Sequence, residues 1–130
     1  MSDLVIAIDC STTAVKAVVW DRRGEPVTEA RVAVPLSQPR PGWAEQNAED
    51  WWSAFRAAVT RAVQTVEASR LGAVCVTHQR ETFVCLDEAD RPLRPAMLWM
   101  DTRATVEVEQ HGTEDVHRIT GKPANPTPAW

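Results

Sequence analysis

The 130-residue sequence contains no tyrosine, only two phenylalanines, and no apolar run near the ~20 residues that a membrane-spanning helix needs. Its first residues, Met-Ser-Asp-Leu, lack the basic and apolar regions of a secretory leader. Basic charge is in deficit: 14 Lys and Arg stand against 18 Asp and Glu, for a net charge of -4. That balance leaves no electrostatic footprint for nucleic acid, and the scattered cations imply no anionic membrane surface. Cysteine is sparse as well. Cys10, Cys75 and Cys85 are odd in number and have neither disulfide nor metal-ligand spacing, which suits a reducing cytoplasm. Internal repeats and low-complexity tracts are missing.

What is present is ordinary for a globular chain, with 44% hydrophobic and 25% charged residues. The length suffices for one domain with a core and is short for a two-domain enzyme. Most prolines fall in two clusters, Pro35/Pro39/Pro41 and Pro123/Pro126/Pro128. The second lies against Trp130, so the chain is expected to be a piece of a longer protein.

Leu4 to Ile8 is an apolar run of strand length ending at Asp9, and Ala14 to Trp20 is β-branched and apolar like a second strand. Asp21-Arg22-Arg23-Gly24 is a turn, with Gly24 free to take a positive φ. Val27 to Pro35 alternates like a half-exposed third strand, which makes an antiparallel meander. Ser37 to Trp43 is an extended, proline-rich loop. Asn47 caps a helix whose first turn carries Glu49 and Asp50. Trp52, Phe55, Val59, Val63 and Val66 follow at helical spacing, with an end expected near Ser69 to Gly72. Ala73–Thr77 and Phe83–Leu86 are predicted as buried strands, 89–92 as a turn and 96–99 as a short apolar run. Helices are predicted over 102–110 and 113–119, the latter closed by Gly121. The order β-β-β-α-β predicts a mixed α/β sheet covered by helices.

Two constellations carry chemistry. In Asp9-Cys10-Ser11-Thr12-Thr13-Ala14-Val15-Lys16, a tight turn between strands can aim backbone N–H groups into one anion-binding concavity. The hydroxyls of Ser11, Thr12 and Thr13 add donors, Lys16 adds a cation, and Asp9 offers the hard oxygen that Mg²⁺ prefers. A hydroxyl-rich β-turn with Asp9 bonded to its own loop accounts for the same residues. In His78-Gln79-Arg80-Glu81-Thr82, the charges are expensive to bury unless they pair or bind a ligand. Arg80 can donate to hydroxyl oxygens of a polyol, Glu81 can accept from its hydroxyl hydrogens, and Trp99 can face its C–H side. A structural Arg80–Glu81 or Arg80–Asp101 ion pair is the competing account.

Asp9-x-x-Thr12-Thr13-x-x-Lys16, followed by a strand ending Trp20-Asp21, resembles the first phosphate motif of the FGGY carbohydrate kinases, with Ser11 where that family usually has glycine. Pro41-Gly-Trp-Ala-Glu-Gln-Asn-Ala-Glu-Asp-Trp-Trp is similar to the same family. So is Thr77-His-Gln-Arg-Glu-Thr-Phe-Val, together with the segment from Arg91 to Arg103. The similarity thus runs through nearly the whole chain. It implies a ribonuclease H-like, actin-like ATPase α/β fold, with residues 1–130 forming the N-terminal part of the kinase's N-terminal domain and the C-terminal domain absent. It implies ATP and Mg²⁺, with nucleotide phosphates at Ser11, Thr12, Thr13 and Lys16, metal at Asp9, and substrate at Gln79, Arg80, Glu81 and Trp99. The reaction implied is phosphorylation of a small sugar or polyol hydroxyl, and the family's general base is expected beyond residue 130. A homodimer is compatible with it.

Arg80-Glu81 is similar to the glycerol kinase branch, whereas xylulokinases typically carry Met-His there. The segment from Ile119 to Pro128 looks more like the wider sugar kinases. Glycerol, a tetritol, a pentitol and a ketose all stay open as substrates. Actin-like or chaperone-like ATPases share the first strands, and a non-catalytic polyol-binding module would use the same pocket. Trp43 is expected as a loop anchor, Trp51 and Trp52 as helix contacts, and Asp101–Arg103 as a structural pair. Cys10, Cys75 and Cys85 are expected as packing residues. His111 and His117 are expected at the surface, while His78 is the histidine nearest the substrate run.

Overall fold

The computed structural model describes residues 2–127, so the features expected at Pro128 and Trp130 lie outside the described residues. The chain divides into two compact units. The first takes the described residues up to Pro35 together with Glu49–Gln79, and the second takes Leu36–Ala48 and the described residues from Arg80 onward.

The first unit is built around β1 (Leu4–Cys10), β2 (Ala14–Trp20) and β3 (Pro26–Ala33), the expected antiparallel meander. β5 (Leu71–His78) pairs parallel to β1, so the sheet is mixed with the order β3-β2-β1-β5. Alternation puts Leu4, Ile6 and Ile8 of β1 and Val15, Ala17 and Val19 of β2 on one face, all buried. Helix α1 (Ala48–Ala62) covers that face with a stripe of Ala54, Ala58 and Ala62, small enough to let its backbone come close. Burying each large aliphatic of this core contributes roughly 1.5–3 kcal/mol. Ala30 and Val32 of β3 pack on the same core, as its alternation predicts. Gly24 takes φ 81, as its turn requires.

Several expectations are corrected here. β1 runs past Ile8 to Cys10, because Asp9 and Cys10 are paired to strands on both sides and backbone pairing overrides their polarity. Helix α1 ends at Ala62, and a short 3-10 turn at Ala68–Arg70 follows. Val63 and Val66 still pack on the core beyond the helix end. Trp52 is an exposed residue stacked on Phe55 at 5.6 Å between ring centroids. β5 is not buried: Val74 is 65% exposed, Val76 is 51% exposed, and Cys75 is exposed too. Its apolar composition suits a parallel strand covered on both faces, but among the described residues β5 has a neighbouring strand on one edge only. Phe83–Leu86 forms isolated bridges to Met97 and Pro92 instead of a strand, and Cys85 is exposed.

The second unit contains two short strands that composition hides, β4 (Glu45–Gln46) and β6 (Ala96–Met97), paired antiparallel. Helices α2 (Thr105–His111) and α3 (Glu114–Thr120) follow, and Gly121 closes α3 in the left-handed region at φ 71. At the centre of this unit Asp101 is fully buried. Its carboxylate accepts from the Ala44 N–H at 2.7 Å, the Arg103 N–H at 2.9 Å and Arg103 Nε at 2.8 Å. Arg103 also reaches Glu45 at 2.9 Å, and its guanidinium lies 3.8 Å above the Trp43 ring. This stacking accounts for Arg103 Nη1, which is buried without a hydrogen-bond partner among the described residues. Gly42, at φ 78, lies where an added Cβ would meet Thr102 Oγ1 at 2.6 Å. The expected Asp101–Arg103 pair and the Trp43 anchor are therefore both present.

Burial alone would raise the Asp101 pKa, but the Arg103 side chain, the two backbone N–H groups and the Arg103 charge together hold it below the ordinary value. A lowered folded pKa stabilises fully above the unfolded value of about 3.9. The contribution then fades as pH falls through the folded one. Asp101→Ala is expected to destabilise the chain by about 3–5 kcal/mol at neutral pH, because it strands a buried Arg. Urea denaturation checks this, and the difference from the unsubstituted chain should shrink below pH 4.

Candidate active site

The turn expected to bind phosphate forms where β1 and β2 reverse. The Ser11 N–H and Oγ both donate to the Ala14 carbonyl at 3.0 Å, closing the turn on itself. The Val34 N–H donates to the Thr13 carbonyl at 3.0 Å and ties in the segment after β3. Among the described residues the positive-φ non-glycines are Glu81 and Asp90. Ser11 therefore occupies its position without left-handed strain, and its hydroxyl does a job that glycine could not. The donors of Ser11 serve the turn itself, and Thr13 is exposed beside it.

Thr12 Oγ1 donates to Gln79 Oε1 at 3.0 Å, and the Gln79 N–H donates to the Cys10 carbonyl at 3.2 Å. These bonds follow from the parallel pairing of β1 with β5, which sets Cys10 opposite His78. The last residue of the first unit is thereby stitched to the turn. The boundary between the two units then falls inside the Gln-Arg-Glu run.

Asp9 and Lys16 are directly opposed in the β1–β2 ladder, and Thr77 flanks Asp9 from β5. All three lie on the sheet face away from α1, around a concavity of about 270 Å³ also lined by Trp20 and Cys75. Asp9 is exposed there instead of being folded onto its own loop. Lys16 Nζ contacts Glu29 at 3.0 Å, with both side chains largely exposed. Such a pair is worth less than about 1 kcal/mol, so Lys16 can exchange it for an anion. No group of three metal-ligating side chains exists among the described residues. One hard carboxylate fits Mg²⁺, which keeps its waters and is commonly held by one or two carboxylates plus substrate phosphates.

The remaining predicted residues, Arg80, Glu81 and Trp99, belong to the second unit. The Trp99 N–H donates to Thr82 Oγ1 at 3.0 Å, and Phe83 and Met97 exchange backbone hydrogen bonds at 3.2 and 3.0 Å. This frame holds Trp99 beside the residue following Glu81, with its side chain 45% exposed. Glu81 takes φ 64, a conformation costing roughly 1–3 kcal/mol in a non-glycine residue and concentrated at functional sites. Its Oε1 lies 2.7 Å from Lys122 Nζ. The Lys122 hydrogen bond and charge, and more weakly the Arg80 charge, hold the Glu81 carboxyl below its ordinary pKa. Neither ion pair expected of Arg80 is found among the described residues: Glu81 pairs with Lys122, and Asp101 pairs with Arg103. Lys122 carries no periodicity or motif in the sequence that points to it. Its position after the closing glycine of α3 is the only local cue.

The match to a family model decides the kinship: the FGGY family of carbohydrate kinases, N-terminal domain, matches residues 4–128. The chain belongs to the FGGY family. It is 34% identical over 124 residues to a glycerol kinase of Thermococcus gammatolerans, covering 94% of this chain and 25% of that protein. Among solved structures, a xylulose kinase from Rhodospirillum rubrum superposes with a TM-score of 0.87 at 30% identity, over 95% of this chain and 27% of that one. A gluconate kinase from Lactobacillus acidophilus gives 0.89 at 25% identity, over 95% and 26%. The chain thus spans about a quarter of the length of these relatives. Its mixed sheet with helices is the ribonuclease H-like, actin-like ATPase α/β fold expected from the sequence.

Ser11→Gly, the residue more usual in the family, is expected to cost about 1 kcal/mol in urea denaturation, through the lost hydroxyl bond and the added backbone freedom. A stabilised variant would mean that the turn wants a left-handed residue.

Proposed function

We propose that the protein containing this chain transfers the γ-phosphoryl of ATP to a hydroxyl of a small polyol or sugar. The observation that carries this is the Thr12–Gln79 hydrogen bond, which ties the hydroxyl-rich turn after β1 to the end of β5. In this reading Thr13 and Lys16 receive the nucleotide phosphates, and the Thr12 hydroxyl exchanges its bond to Gln79 Oε1 for a phosphate oxygen, with Ser11 shaping the turn. Asp9 would hold Mg²⁺, which supplies charge neutralisation at the phosphates when bound. Gln79 braces the turn, Arg80 donates to substrate hydroxyl oxygens, Glu81 accepts from substrate hydroxyls, and Trp99 covers the C–H face. The family resemblance and the names of the relatives, which are glycerol, xylulose and gluconate kinases, support the substrate class.

Arg80-Glu81 favours a polyol over a ketose through its similarity to the glycerol kinase branch, since xylulokinases typically carry Met-His at this place. The base that removes the acceptor proton is proposed to lie outside this chain. The 130 residues alone are therefore expected to show no turnover, and ADP formation above a Thr12→Ala control would contradict this. In an ADP-coupled assay of the intact protein against polyols and sugars, at least one polyol should be accepted. Glu81→Ala should raise its KM at least tenfold, and an unchanged KM would remove Glu81 from the pocket.

A further inference from the structure

Lys122 stands 41 residues from Glu81 in sequence, yet its ammonium is 2.7 Å from the Glu81 carboxylate. The approach is built from two sides. Gly121 ends α3 in the left-handed region, and its N–H donates to the His117 carbonyl at 2.8 Å. Thr120 Oγ1 then accepts from the Lys122 N–H at 3.1 Å and donates to the Val116 carbonyl at 2.8 Å. The end of α3 thus fixes the backbone from which Lys122 reaches. On the other side, Glu81 holds the left-handed φ of 64. Both groups are partly exposed, at 47% and 38% of the side chain.

An exposed ion pair alone is worth too little to account for a strained backbone at one partner. The geometry points to a different role: Lys122 is a positioning residue that holds Glu81 as an oriented hydroxyl acceptor for the polyol. This rests on the substrate role proposed for Glu81. A carboxylate has about four lone-pair sites, so binding Lys122 through one oxygen leaves acceptor capacity for substrate. Lys122 and Arg80 are the charged groups acting on this carboxyl. Both favour its ionised form, the form that accepts and does not donate.

In the intact protein, Lys122→Met should raise KM for the accepted polyol about tenfold with kcat changed less than twofold. Lys122→Arg should recover most of the loss. Lys122→Gln, which keeps a donor without the charge, is the companion variant if Met disturbs α3, and should give an intermediate KM. Carboxyl-carbon NMR of Glu81 in the intact protein should show its pKa moving up toward the ordinary glutamate range in Lys122→Met, a shift that a role confined to supporting α3 would not produce. An unchanged KM in Lys122→Met alongside a raised KM in Glu81→Ala overturns this inference and leaves the proposed function standing. An unchanged KM in Glu81→Ala overturns the pocket itself. A lowered KM in Lys122→Met means that Lys122 competes with substrate, and overturns the positioning role.

Discussion

The double pairing of β1 is the constraint on which the first unit depends. One edge runs antiparallel to β2, so the chain must reverse in a tight turn at Ser11–Thr13. The other edge runs parallel to β5, which brings the distant Gln79 to the same end of the strand. A parallel neighbour requires a crossover, and α1 serves that purpose while capping the core with its alanine stripe. Two segments nearly 70 residues apart in sequence thereby meet at one carbonyl, that of Cys10. The buried aliphatics of β1 and β2 hold the frame, and the polar chemistry occupies its end and its open face.

The second unit solves a different problem with little regular structure. Two two-residue strands cannot organise it by backbone pairing alone. The buried Asp101 carboxylate collects donors from Ala44 and Arg103, while Arg103 is shared with Glu45 and stacked on Trp43. This polar knot takes the place of a large apolar core and leads directly into the segment carrying Trp99. Buried ionic networks are weak evidence for net stability but strongly penalise loss of one member. That asymmetry makes Asp101 and Arg103 the members whose loss the second unit tolerates least.

The meander, α1 and the α3 terminus were legible in the sequence because each has a local cause. β2 is β-branched and apolar between polar turns, β3 alternates, and Gly121 marks a helix end. The candidate residues were legible from residue type and from order along the chain. What escaped was tertiary. Thr12–Gln79 and Glu81–Lys122 are contacts across 67 and 41 residues with no periodic trace. The sequence does not mark the end of α1, because Val63 and Val66 stay apolar after Ala62 and pack on the core from beyond the helix. β5 and Phe83–Leu86 were misjudged because β-branched and aromatic composition reports what a segment could bury. It does not report whether a partner covers it.

The chain belongs to the FGGY family; the assignment of roles to its residues is the central claim. Its most direct test is a crystal structure of the intact protein with Mg²⁺, a non-hydrolysable ATP analogue and a polyol that it phosphorylates. The account predicts phosphate oxygens at the hydroxyls of Thr12 and Thr13, the metal on the Asp9 side, and polyol hydroxyls on Arg80 and Glu81 with Trp99 against the carbon chain. A polyol bound elsewhere, with Arg80 and Glu81 still facing solvent, would contradict it.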